Sequence, residues 1–223
     1  MQRLRFSYTK GEPIKFVGHL DLARMWERPL RRAGLPVAYS QGFNPQLRIQ
    51  FASALPVGCS GRAEVADLWL DEPVTPEEFT QRVQAQLPPG ASVFDAHHVA
   101  LDLPSLQSQM DQAEYTIQVD VSDTTIDVAA AVAAFLAATE LVRVRARDGK
   151  TYDLRALVDA LHVEETADDG WVRLFTRLAS RPGATGRPDD LLDALGLGDL
   201  PRRIERTRLI FVESAPPGTA EAA

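Results

Sequence analysis

The feature that most constrains this chain is a switch of hydrophobic period in the order strand, helix, strand, strand, helix, strand over residues 1–100. Apolar residues two apart mark a half-buried strand, and apolar residues three and four apart mark a helix face. Arg3 to Thr9 alternates, and Gly11-Glu12-Pro13 breaks it. From His19 the period is helical, with Leu22, Trp26, Leu30 and Ala33 on one face and Arg24, Arg28, Arg31 and Arg32 on the other. Pro29 deletes a backbone hydrogen bond and predicts a kink or a loosely held last turn, while Gly34 and Pro36 end the helix. Arg48 to Ala54 and Ala63 to Leu70 read as a hairpin. Thr75 reads as an N-cap before Pro76, with Glu77 and Glu78 in the first turn and Phe79, Val83 and Leu87 on the buried face. Ala91 to Ala100 supplies the fourth strand.

This order is that of a split βαβ, or ferredoxin-like, unit: an antiparallel four-stranded sheet with two helices on one face. Residues 101–112, with Pro104 and several Ser and Gln, read as a linker. The same order then recurs over 113–213, with strands at Glu114–Val121, Leu141–Ala146, Val172–Ala179 and Ile204–Glu213 and helices at Thr125–Ala138 and Asp189–Leu195. Leu154, Leu157, Val158 and Leu161 have helical spacing and suggest a short helix or insertion, and Asp168-Asp169-Gly170 suggests a turn. The expectation is an α+β chain of two tandem ferredoxin-like units, two sheets with a cleft between them. Residues 180–188 and a tail at 214–223 are expected to be mobile and to carry no site.

Charge is divided along the chain. Residues 1–62 hold ten Lys and Arg against three acidic residues, and the remainder holds fourteen against twenty-eight. A basic segment on an acidic body points to a polyanion-binding face. Lys15, Arg24, Arg28, Arg31, Arg32 and Arg48 could track phosphates, and the turn Ser40-Gln41-Gly42-Phe43-Asn44-Pro45, with Tyr39 before it, could offer backbone amides and rings to unstacked bases. Single-stranded or looped RNA fits that chemistry best. Phe43 could equally be a core anchor that pins the loop.

His19 and Asp21 have the residue types of an acid–base pair, although a helix N-terminal charge beside a satisfied imidazole gives the same pattern. His97 and His98 alternate on a strand, so they point to opposite faces and do not chelate one ion together. No metal site is expected. The lone Cys59 cannot pair with another thiol or assemble a cluster, and reads as a buried residue at the start of a strand. No run approaches the roughly 18 apolar residues of a membrane span, so a cytoplasmic location without membrane contact is expected.

The segments FVGHLDLARMWERPLRRAGLP (16–36), YSQGFNP (39–45) and FASALPVG (51–58) resemble the radical SAM-linked protein family, also described as a domain of unknown function, DUF2344. The resemblance implies an accessory protein that works with a separate radical SAM protein, the partner carrying the iron–sulfur cluster and S-adenosylmethionine and this chain carrying no cofactor. It also implies RNA, or a ribosomal component, as the presented substrate. The family usually has Ser where Gly18 stands and His-Pro where Gln46 and Leu47 stand, so it assigns no histidine chemistry to the loop here. Two other readings remain: an RNA-modifying or RNA-processing enzyme using His19 and Asp21, and a purely structural docking module.

Overall fold

The computed structural model describes residues 1–145, 149–166 and 170–212. In chain order its elements are β1 (Gln2–Lys10), α1 (His19–Arg32), β2 (Ile49–Phe51), β3 (Ser60–Leu70), α2 (Pro76–Gln84) and β4 (Ala91–Val99). Then follow β5 (Met110–Asp120), α3 (Val128–Ala137), β6 (Val142–Val144), β7 (Thr151–Asp153), β8 (Val158–Thr166), β9 (Trp171–Arg181), β10 (Ala184–Thr185), α4 (Pro188–Ala194) and β11 (Arg202–Phe211). The protein is α+β, with a mostly antiparallel sheet.

Within the first half β4, β1, β3 and β2 pair in that spatial order, all antiparallel. Within the second half β11, β5, β9 and β8 do the same, with β6 and β7 forming a separate small hairpin. The halves do not make two sheets around a cleft. They share one, because β11 pairs in parallel with β3 at Glu205↔Ser60 and Arg206↔Gly61. β2 is short. Ser53 and Ala54, expected within that strand, leave the ladder, and the early part of β3 is left with an open edge that β11 fills.

Two apolar cores lie on the same side of this sheet. In the first, Leu4, Phe6 and Tyr8 of β1 meet Leu22, Trp26 and Leu30 of α1 and Phe79 and Val83 of α2. Its centre is aromatic, with Phe6 and Trp26 ring centroids 5.2 Å apart and Tyr8 meeting Trp26 edge-on at 5.3 Å. Such pairs contribute about 0.5–1.5 kcal/mol each beyond their burial. In the second, Tyr115, Ile117 and Val119 of β5 and Val172 and Leu174 of β9 meet Val132 and Phe135 of α3 and Leu191 and Leu192 of α4. Glu64 stands opposite Tyr8 and Arg206 opposite Tyr115, so the bond joining Glu64 to Arg206 places both cores, and the helices covering them, on one face.

Local expectations fare unevenly. Thr75 does cap α2, its hydroxyl accepting from Glu78 N at 3.2 Å. Pro29 neither ends α1 nor loosens its last turn, since its carbonyl accepts from Ala33 N at 2.8 Å and its ring is buried. The segment at 154–161, expected to be a short helix or an insertion, is a single 3-10 turn, Arg155–Leu157, followed by β8. Residues 101–109 are packed, with Leu106 and Gln109 buried and the carbonyls of Leu103 and Pro104 accepting from Arg3. Residues 180–188, expected to be loose, form the β9–β10 hairpin and the lead into α4. The turn expected at Asp168-Asp169 and the tail at 214–223 lie outside the described residues.

Candidate nucleic-acid interface

Helix α1 sets the geometry of the basic face. Its apolar side is locked against β1, so Arg24, Arg28, Arg31 and Arg32, at positions i, i+4, i+7 and i+8, are left on the opposite side. Arg24, Arg28 and Arg32 line a groove of about 380 Å³ with Met25, Pro29 and Pro88. Arg24 is tied to Asp21 at 3.2 Å and Arg31 to Glu27 at 2.5 Å, both surface pairs that water screens. Arg32 donates to the Gln86 carbonyl at 3.2 Å. Among the described residues Arg28 has no ion-pair partner.

The loop after α1 is joined to this stripe. Tyr39 meets Arg31, whose guanidinium is held above its ordinary value by the Glu27 carboxylate first and by Tyr39 second. The base of the loop is closed by Ser40, whose N–H donates to the Gln46 carbonyl at 2.8 Å and whose hydroxyl accepts from Gln46 N at 2.9 Å. Beyond that clasp residues 41–46 are exposed, and Gly42 has φ of 133°, a conformation that a side chain would strain. Phe43, at 106% of its reference exposure, anchors nothing. Tyr39, Ser40, Gln41, Gly42 and Arg48 line a second groove of about 610 Å³, where the Arg48 guanidinium stacks 5.1 Å from the Trp69 ring.

Three of the expected residues, Lys15, His19 and Asp21, do not come together on this face as expected. Lys15 lies before α1, bound to Glu12 at 2.8 Å, and lines a different groove, with Arg62 and Arg203. His19 is exposed with its ring edge-on to Phe51 at 5.7 Å, and Asp21 turns to Arg24; among the described residues no hydrogen bond joins His19 to Asp21. On the edge strand β4, His97 stands opposite Arg5 and His98 opposite Leu4, on alternate faces.

Sequence reasoning missed the seam between the halves. Arg206, 1% exposed, donates through Nε to Glu64 Oε1 at 2.8 Å and through Nη2 to the other carboxylate oxygen, and Glu64 is 2% exposed. Its remaining donors reach the Ser53 and Ala54 carbonyls at 3.1 and 3.2 Å, which fixes the turn inside FASALPVG. Burial alone would lower the Arg206 guanidinium, but the Glu64 charge, then Tyr115, lifts it above its ordinary value. Gly61 makes room for the carboxylate, since a Cβ there would stand 2.7 Å from Glu64. Nothing local could have revealed the pair, because its members are 142 residues apart.

Lys10 and Cys59 are buried beside it. Burial lowers the Lys10 ammonium and pushes the Cys59 thiol up from 9.0 to about 11, and it raises the Tyr8 and Tyr115 hydroxyls as well. Groups raised in the folded state contribute stability that is complete below their unfolded values and is lost as pH climbs through the folded ones. Lys10, lowered by burial, works in the opposite sense and is relieved as pH rises. For the thiol the expected outcome is a loss of urea resistance between pH 9 and about 11 that Cys59→Ala reduces. At pH 8 Cys59 should react with a disulfide reagent such as DTNB only after unfolding, and prompt reaction of the native protein would contradict its burial.

A basic helix and loop thus stand at one end of a single mostly antiparallel sheet, with a charged seam at its centre. The chain belongs to the family described as uncharacterized protein conserved in bacteria (DUF2344), whose profile matches residues 3–188. No curated protein matches it. Among solved structures, a chain of a Cbf5-Nop10-Gar1 complex is similar, with a TM-score of 0.46 and 13% identity over 92% of this chain and 49% of that one. A chain of an H/ACA RNP bound to a substrate RNA containing 2'-deoxyuridine has a TM-score of 0.44 and 13% identity, over 92% and 47%. This chain spans about half the length of those two, and likeness at this level says nothing of what it binds. Among the described residues no helix is long and apolar enough to cross a membrane.

Proposed function

We propose that this protein binds single-stranded or looped RNA along α1 and the 39–46 loop and presents it to a separate radical SAM enzyme. The observation that carries the RNA part is the exposed stripe Arg24, Arg28, Arg31 and Arg32, followed closely in the chain by a loop whose Phe43 is bare. Cations on one helix face follow a phosphate backbone, and an unpacked ring stacks on a base. The enzyme part rests on the resemblance of the 16–58 region to radical SAM-linked proteins. It is supported by Cys59, a single buried thiol that cannot ligate a cluster, so that the cluster and S-adenosylmethionine belong to the partner. In this reading each half is a ferredoxin-like unit, fused to the other edge to edge, and the protein works in the cytoplasm.

Phe43→Ala is the direct test of the loop. It takes nothing from the core, so stability should not change, while affinity for a single-stranded oligoribonucleotide should fall by about 1–3 kcal/mol, roughly 5- to 150-fold. Fluorescence anisotropy reads this, and an unchanged affinity removes the loop from the interface. For the enzyme part, co-purification of this protein with a radical SAM protein from the same cells is the expected result; absence of a complex, with and without RNA, defeats that part alone.

A further inference from the structure

A groove of about 580 Å³ opens on the helical face where the two halves meet, within the usual range for a small-ligand pocket and at the kind of junction where such pockets occur. Its walls come from two loops far apart in sequence, the 52–56 turn of the first half and the 180–188 hairpin of the second. Leu55 and Pro56 supply one wall and Pro182 and Pro188 the other, so the sides are apolar and stiff. The floor is Tyr115 and Arg206. Arg206 commits its donors to Glu64 and to the wall itself, and therefore positions the groove without being free to bind within it.

The free polar groups are at the rim. Arg187 is exposed, and among the described residues its guanidinium has no hydrogen-bond or ion-pair partner. Arg181 is held only at 3.2 Å by Asp111, a pair that is partly exposed on both sides. Asp189, the one acidic group in the lining among the described residues, is already neutralised by Arg202 at 2.9 Å. The groove thus joins apolar walls to a rim with one uncompensated cation, Arg187, beside the partly exposed Arg181–Asp111 pair. A flat ring carrying an anionic tail matches both parts, whereas an apolar ligand leaves the rim unused and a bare anion leaves the walls unused.

We infer that this groove holds one nucleotide, with its ring between the Leu55–Pro56 and Pro182–Pro188 walls and its phosphate at Arg187 and Arg181. The choice of a nucleotide rests on the RNA reading, and it can be either an unstacked residue of that RNA or a free mononucleotide.

Equilibrium dialysis with the four ribonucleoside 5′-monophosphates, beside inorganic phosphate, tests the inference on the whole chain. Saturable one-to-one binding of at least one nucleotide is expected, well above phosphate alone. Arg187→Glu should weaken it at least about tenfold, through a missing charge-assisted bond and a new repulsion. Thr185→Trp, a change at an exposed rim position, should block it, with thermal midpoints showing that both variants fold. No nucleotide binding, phosphate binding as tightly as the nucleotides, or unchanged binding in both variants each overturns the inference. Competition by a short oligoribonucleotide assigns the site to an RNA residue, and lack of competition assigns it to a free nucleotide. Because Arg31→Glu with Arg32→Glu leaves this groove untouched, nucleotide binding without RNA binding would show that the RNA reading alone had failed.

Discussion

Glu64→Ala should cost the fold about 3–5 kcal/mol, because it leaves the Arg206 guanidinium buried with no counter-charge. The side chain cannot escape to water: it is 1% exposed, and two of its donors hold the Ser53 and Ala54 carbonyls. A domain of this kind has about 5–15 kcal/mol of net stability, so the loss removes a large share of it. The pair need not itself stabilise the fold, since two desolvated charges repay their burial only when every bond is made. A joint Glu64→Leu, Arg206→Met replacement should therefore recover part of what Glu64→Ala loses, the remainder being the Ser53 and Ala54 carbonyls that Arg206 no longer satisfies. Urea unfolding midpoints check both, and a loss below about 1 kcal/mol for Glu64→Ala would mean that water reaches the seam.

The second large effect is on binding. Arg31→Glu together with Arg32→Glu replaces two cations by two anions on the exposed side of α1, and affinity for single-stranded RNA should fall about 100-fold at low salt. The fall stays below the sum of two free charge-assisted bonds because Glu27 already screens Arg31. Stability should fall by no more than about 1–2 kcal/mol, from the lost Glu27 and Gln86 partners and two anions in the last turn of the helix, since neither side chain enters the core. An Arg28→Ala change removes one cation from the stripe and should give a smaller fall without altering which sequences are preferred.

Much of the local structure was legible because its causes are local. The cap at Thr75, the proline after it and the helical spacing of Leu22, Trp26 and Leu30 each carry their own physical reason within one or two turns. The arginine stripe was legible for the same reason. At 154–161 the residues mislead: register shifts between Val158 and Ala160 and between Val163 and Glu165 break the alternation of β8, so a strand preceded by one 3-10 turn imitates helical spacing. The union of the sheets was hidden in how early β2 ends. Ser53 and Ala54 could have continued that strand by propensity, and what draws them off it is Arg206, which follows 152 residues after Ala54. The Gly and Pro content of 180–188 suggests a loose loop, yet those prolines become a wall once β11 brings the two halves together. Phe43 could be read either as anchor or as free ring, and only its exposure decides between them.

The most direct test of the RNA reading is the salt dependence of binding. Affinity of the wild-type protein and of the Arg31→Glu, Arg32→Glu variant for a single-stranded oligoribonucleotide would be measured at several salt concentrations. The predicted result is a steep decline of log affinity with log salt for the wild type, and a slope smaller by about 1.4 for the variant, about 0.7 for each phosphate of a single strand that is no longer neutralised. Binding with no salt dependence, or equal slopes for the two proteins, would contradict a phosphate-tracking face on α1.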